Sequence, residues 1–309
     1  MVELRFYVGL KGIKKIEVEE GYKFHGETTR AESATVCGRI SGDQHPFVEH
    51  FKFIKELEDD TVIARQTIPA PAQLLAELQR GLNLDETRKY YNDDEELFRD
   101  ISNAYKTAIL DLYNAGCRNI QLDDCTWGMF CDKEYRDAIK VQGISLDDVA
   151  RSYVKLNNLA IEGIQKDLCI TTHVCLGNYN YTWASSGGYA PIAPILFGEE
   201  NVSAYYLEFD DERSGDFEPL KYTNRDKQFV LGLITSKNPR LEDKETIISR
   251  IKKATEYLPI DRICVSPQCG FASTEEGNKL SEEEQWNKIK LVLEIATEVW
   301  ETNMEMVKA

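Results

Sequence analysis

The chain has 309 residues and carries 53 acidic against 37 basic side chains, a formal charge of −16. That balance argues against nucleic acid as a partner, because a phosphate backbone calls for a positive surface. No run approaches the roughly 20 apolar residues of a membrane span, and the start, Met1-Val2-Glu3-Leu4-Arg5-Phe6, lacks the basic head and apolar stretch of a secretory leader.

The first 40 residues read as an antiparallel excursion, a β-hairpin with Glu3–Val8 and Lys15–His25 turning at Gly9–Gly12. Short β-rich runs then alternate with helical ones, the pattern of βα units and a parallel sheet. Thr61–Thr67 precedes a helix near Ala72–Gly81. Leu97, Ile101, Ala104, Ala108 and Leu112 share one face of the next helix, which Gly116 stops, and Asn119–Asp123 follows. A helical pattern ending near Lys166 leads to Cys169–Cys175, and a loop rich in Gly and Pro leads to Ser203–Glu208. Gln228–Thr235 and Arg262–Ser266 flank a helix around Glu245–Tyr257. The last helix opens on Ser281-Glu-Glu-Glu284, an S-x-x-E capping box, and carries Ile289, Leu293, Ala296 and Trp300 as an expected core stripe.

The expectation is one α/β domain over 1–309, with 1–40 as the excursion and 41–309 as barrel units. A (β/α)8 TIM barrel suits it better than a doubly wound sheet. The turn Gly-x-Gly-x-x-Gly is absent, and polar residues recur at the strand ends. Six units fall two short of eight.

Eight cysteines and four histidines narrow the search for chemistry. So few cysteines make reduced thiols or metal ligands, in a cytoplasmic protein, likelier than a disulfide framework. Residues two apart in a strand point to the same side, so His173 and Cys175 project together, and an imidazole beside a thiolate suits zinc. A buried cysteine next to a satisfied histidine is the commonplace alternative. Glu208 and Cys269 also fall at C-terminal strand ends, the face where barrel enzymes place their chemistry, and the four could complete a tetrahedral shell. Against this, Glu208 could belong to an acidic cluster with Asp210, Asp211 and Glu212, and Cys269 could be a small core residue.

The strings Ile120-Gln-Leu-Asp-Asp124, Thr172-His-Val-Cys175, Tyr206-Leu-Glu208 and Val265-Ser-Pro-Gln-Cys-Gly270 resemble the C-terminal catalytic barrel of cobalamin-independent methionine synthase. Tyr181–Tyr189, Phe209–Phe217 and Pro267–Thr274 are similar to its short single-barrel bacterial relatives. The resemblance runs from about Leu4 to Trp300. It implies a TIM barrel of the methionine synthase/uroporphyrinogen decarboxylase type, and a zinc-dependent methyltransferase in which a zinc-bound homocysteine thiolate takes a methyl group to give methionine.

Carried over residue by residue, the resemblance places the zinc ligands on His173, Cys175, Glu208 and Cys269. It places the residue holding the amino group of homocysteine on Asp123, with Asp124 at the adjacent acidic position, which could equally cap the following turn. Methyl-folate or a methyl-corrinoid is the implied donor. Trp183 and Tyr189 could stack on a flat donor or pack their loop down. Lys237 stands where the family's proton-donating histidine falls, so it could act as the acid for a departing amine, although an exposed lysine at a strand end is the commoner case. The family's first two strand-helix units, including a Gly-Ser motif, have no counterpart, so the barrel is expected to be incomplete at its N-terminus, with open edges that favour a homo-oligomer. The alternative is a non-catalytic or truncated relative that keeps zinc as a structural clip.

Overall fold

A computed structural model describes residues 2–179, 181–223, 227–272 and 277–300. The chain forms two compact units: residues 1–23, 28–126 and 148–172 in the first, and 24–27, 127–147 and 173 onward in the second.

The first unit opens on helix α1 (Val2–Gly9), followed by the antiparallel strands β1 (Lys11–Glu17) and β2 (Glu32–Ser41). The sequence reading of Glu3–Val8 as a strand is thereby corrected. Leu4 and Tyr7, three apart, and Phe6 and Leu10, four apart, are all buried while Val8 is exposed, which is helical rather than alternating spacing. The antiparallel excursion exists, but its partners are β1 and β2, with Ile13 opposite Val36. Gly12 makes the pairing possible: at φ +81 with Arg39 O only 2.3 Å from where a Cβ would stand, no side chain fits there.

Strand β3 is Gln66–Pro69 rather than Thr61–Thr67. Asp59 Oδ1 accepts hydrogen bonds from Thr61 N at 2.7 Å and Val62 N at 3.1 Å, and this Asx turn holds the start of the expected strand in a loop. Pro71 opens α2 (Pro71–Leu78), and Asp93 caps α3 (Asp94–Asn114) by accepting from Glu96 N. The predicted stripe Leu97, Ile101, Ala104, Ala108 and Leu112 is buried. Gly116, at φ +98, ends the helix as expected. Strand β4 (Asn119–Asp123) runs parallel to β3, with Pro69 opposite Asp123. Helix α4 (Leu146–Ile161) leads to β5 (Cys169–Val174), whose first residues complete the order β3-β4-β5.

The second unit continues from the end of β5 through β6 (Ala204–Glu208), β7 (Gln228–Ile234) and β8 (Ile263–Pro267), in the order β8-β7-β6-β5. The β6–β7 and β7–β8 pairs are parallel, with Glu208 opposite Gly232 and Gly232 opposite Ser266. Phe229–Ile234 is buried without interruption, as strands covered on both faces require. Tyr205, Phe197 and Phe229 form an aromatic cluster with centroids 4.9–5.3 Å apart. Helices α5 (Lys244–Ala254) and α6 (Glu282–Trp300) follow β7 and β8.

The capping box of α6 forms as expected, Ser281 N donating to Glu284 Oε2 at 2.7 Å and Glu284 N to Ser281 Oγ at 3.3 Å. Its buried stripe is not the expected one: Leu293 is exposed, whereas Lys288, Leu291 and Ile295 are buried. Lys288 tolerates burial because its ammonium donates to Arg240 O at 2.8 Å and meets Glu242 at 3.1 Å.

These units establish an α/β architecture with parallel strands joined by helices, six such strands among the described residues. No described helix is long and apolar enough to cross a membrane.

Candidate metal centre

In the second unit, His173 lies near the end of β5, Cys175 just beyond it, and Glu208 closes β6. One ligand atom from each lies within 4.8 Å of the other two, and all three residues are buried. The neighbouring loop fixes the carboxylate. Leu176 N donates to Glu208 Oε1 at 3.1 Å, whereas Glu208 Oε2 is buried and accepts no hydrogen bond from a described residue. Burial pushes the Glu208 carboxyl above its ordinary range, and Lys237 pulls it back. A buried carboxylate with an oxygen left open fits a bound cation, which would stabilise its charged form.

Tyr189, unmarked in the sequence as a support of this site, ties the two strand ends together. Its hydroxyl accepts from Glu208 N at 2.9 Å and donates toward Glu208 O at 3.2 Å and Val174 O at 3.4 Å. Burial raises its pKa well above the ordinary tyrosine value, so it remains a donor. The ring is fully buried and packs against Phe197 and Phe209. Tyr189→Phe is expected to weaken metal retention about tenfold by loosening Glu208, as loss of a supporting hydrogen bond commonly does. Competition with a zinc chelator measures it.

The side chain of Lys237, beyond β7, is buried rather than exposed at the strand end. Its Nζ stands 3.1 Å from Asp210 Oδ2 and 3.8 Å from Glu208 Oε2. Cys269 follows β8, half-buried, and is not part of the 4.8 Å group. The resemblance string Pro267–Thr274 ends on Ser273 and Thr274, which lie outside the described residues.

Trp183 packs within its own surroundings: the Arg213 guanidinium lies 4.2 Å from the ring centroid and His25 stacks at 5.1 Å. Arg213 in turn pairs with Asp211 at 2.6 Å. None of the eight cysteines, all of them among the described residues, forms a disulfide.

In the first unit, Asp123 ends β4 half-buried, and Asp124 is fully buried. Asp124 accepts from Thr126 N at 3.3 Å, from Thr126 Oγ1, and from Asn157 Nδ2 at 3.0 Å. Asn157 Oδ1 accepts from Ala72 N at 2.9 Å, so Asp124 anchors the turn after β4, the capping role that the sequence left open. Close to Asp123, the partly exposed Glu3 has its carboxyl pushed up to about 7, first by burial and then by the Asp123 charge. A folded-state value above the ordinary 4.5 means that Glu3 contributes stability fully below about pH 4.5 and loses it as pH rises through about 7. Urea unfolding at pH 4.5 and 7.5 should show this slope, on the order of 2 kcal/mol, flattened in Glu3→Gln.

The model of the cobalamin-independent synthase catalytic domain matches residues 85–297. The Bacillus subtilis proteins YxjH and YxjG are 41% and 42% identical to this chain, each over 96% of it and 77% of their own length. The methionine synthase of Saccharolobus solfataricus is 24% identical over 82% of this chain and 66% of its own. Among solved structures, a candidate vitamin-B12-independent methionine synthase from Listeria monocytogenes superposes with a TM-score of 0.73 at 36% identity, covering 96% of this chain and 78% of that one. A B12-independent methionine synthase from Shewanella sp., in complex with selenomethionine, shares the fold at a TM-score of 0.70 and 21% identity, over all of this chain and 81% of that one. The chain belongs to the cobalamin-independent synthase catalytic-domain family.

Proposed function

We propose that the protein is a zinc-dependent methyltransferase that moves a methyl group to a small thiol, with homocysteine the leading acceptor and methionine the product. The observation that carries this reading is the buried convergence of His173, Cys175 and Glu208 within 4.8 Å. An imidazole, a thiol and a carboxylate are a donor set that zinc accepts, with Cys269 proposed as the fourth ligand. When bound, zinc would keep a coordinating thiol deprotonated at neutral pH, which is the form of the acceptor that attacks a methyl group.

The remaining work falls to the chain's own residues. Tyr189 and Leu176 N hold Glu208 in place. Lys237 Nζ, placed by Asp210, holds the proton that a departing amine requires. Asp123 is proposed to receive the amino group of the amino-acid substrate, with Asp124 keeping the turn after β4 in shape. Trp183, with Arg213 and His25 against its ring, would meet the donor at its remaining edge. The proposed setting is the cytoplasm.

Metal analysis of the purified protein should give about one zinc per chain, the count of one such shell. A screen of methyl-folates and methyl-corrinoids with homocysteine should then yield methionine from at least one donor. Zinc-loaded protein inactive with every donor would refute the catalytic assignment.

A further inference from the structure

Resting on the methyl-transfer reading, we propose that the cavity beside Lys237 receives an acceptor oxygen, carbonyl or carboxylate, of the methyl donor. The cavity, about 200 Å³ including its mouth, has Asn178, Tyr179, Tyr181, Ser236, Lys237 and Asn278 among its walls. Its polar wall groups are unevenly engaged. Ser236 Oγ donates to Gln268 Oε1, Asn278 Nδ2 donates to Ser236 O at 2.7 Å, and Asn278 Oδ1 accepts from Leu280 N at 3.3 Å. Asn178 Nδ2, by contrast, is buried and donates to no described residue. Lys237 carries three N–H donors, of which Asp210 at 3.1 Å takes one.

The surplus is therefore of donors, and their complement is an oxygen with lone pairs. A buried donor left without such a partner is costly, so a ligand that supplies one gains affinity there. Positive charge adds to the match: the Lys279 ammonium lies 3.5 Å from the ring centroid of the wall residue Tyr181. Lys237 in the wall and Lys279 against the wall residue Tyr181 favour a carboxylate or a polarised carbonyl as the group that enters.

The cavity's position selects the donor over the thiol. Asn178 follows Cys175 by three residues, and Lys237 Nζ stands 3.8 Å from Glu208 Oε2, so a molecule held here borders the metal cluster. Lys237 is the proposed acid for the departing amine, and that amine belongs to the methyl donor. Binding in the cavity makes and breaks no covalent bond.

The test follows the Asn178 side-chain amide signals by ¹⁵N–¹H NMR in the whole chain, assigned by their loss in Asn178→Asp. Methyl-folate with one or several glutamates, a methyl-corrinoid and L-homocysteine are titrated in turn. One of the methyl donors should shift these signals while homocysteine leaves them in place. Asn178→Asp, which sets a negative charge against the incoming oxygen, should weaken binding of that donor about tenfold by calorimetry and leave homocysteine binding unchanged. A shift with homocysteine alone would assign the cavity to the acceptor's carboxylate and overturn the proposal. So would a donor that binds without moving the Asn178 signals, or the absence of binding by every donor tried. Zinc content of the same samples reads the methyl-transfer assignment separately: a donor response in protein that holds no zinc would support the cavity and refute the metal centre.

Discussion

Cys175→Ala is expected to lower bound zinc from about one per chain to less than a tenth of that, and to abolish methyl transfer, because the proposed four-ligand shell would lose one of its two thiolates. The fold should survive. Cys175 is a small buried side chain, and its truncation leaves a cavity costing on the order of 1 kcal/mol, well within the stability of a typical domain. Loss of metal with retained circular dichroism and a modest fall in the urea midpoint is thus the predicted signature. Cys117→Ala is the matched control. Cys117 is also buried, but its thiol donates to Asn119 O at 3.2 Å and it is not part of the 4.8 Å group. That variant should keep zinc and activity while showing a comparable stability loss. If both variants kept zinc equally, Cys175 would not be a ligand.

The second large effect is expected at Gly232. In β7 it pairs with Glu208 on one side and Ser266 on the other. A Cβ there would stand 2.5 Å from Gln268 Cα, 2.8 Å from Leu207 O and 3.1 Å from Pro267 O. These are main-chain atoms of β6, of the end of β8 and of the residue after it, so no rotamer change relieves the clash. Gly232→Ala must push the strand ends apart, at about 3 kcal/mol, toward the upper end of what overpacking one methyl costs. The displacement falls on Leu207, the residue before Glu208, so metal affinity should drop together with stability. Urea unfolding and zinc titration of the same variant check both, and Gly232→Ala with wild-type values for each would show that the strands can move apart freely.

The parts of the fold legible in the sequence are those where one physical signal acts alone. Strands β4 and β6 each close on an acidic residue, Asp123 and Glu208, and Asn119–Asp123 matches the reading to the residue. Helix α3 is long enough for its 3.6-residue period to be unambiguous. Where two signals compete, the reading fails. Helix α1 is only eight residues, too short for periodicity to outweigh its β-prone Val, Phe and Tyr. Tertiary pairing of Lys288 with Glu242 turned a charged position of α6 inward and Leu293 outward, which no hydrophobic pattern anticipates.

The candidate site divides in the same way. His173, Cys175 and Glu208 were legible because ligand chemistry and strand-end position point to the same residues. Tyr189 was not, since its role rests on hydrogen bonds to Val174 and Glu208, residues 15 and 19 positions away. Nor was the burial of Lys237, which depends on Asp210, 27 positions earlier, offsetting its charge.

X-ray absorption at the zinc edge, recorded on the purified protein before and after adding homocysteine, tests the metal centre most directly. His173, Cys175, Glu208 and Cys269 as ligands predict about two sulfur and two lighter scatterers, with sulfur rising by about one when the thiol is added. Zinc whose sulfur coordination ignores the thiol, or a protein that binds no zinc, would contradict the account.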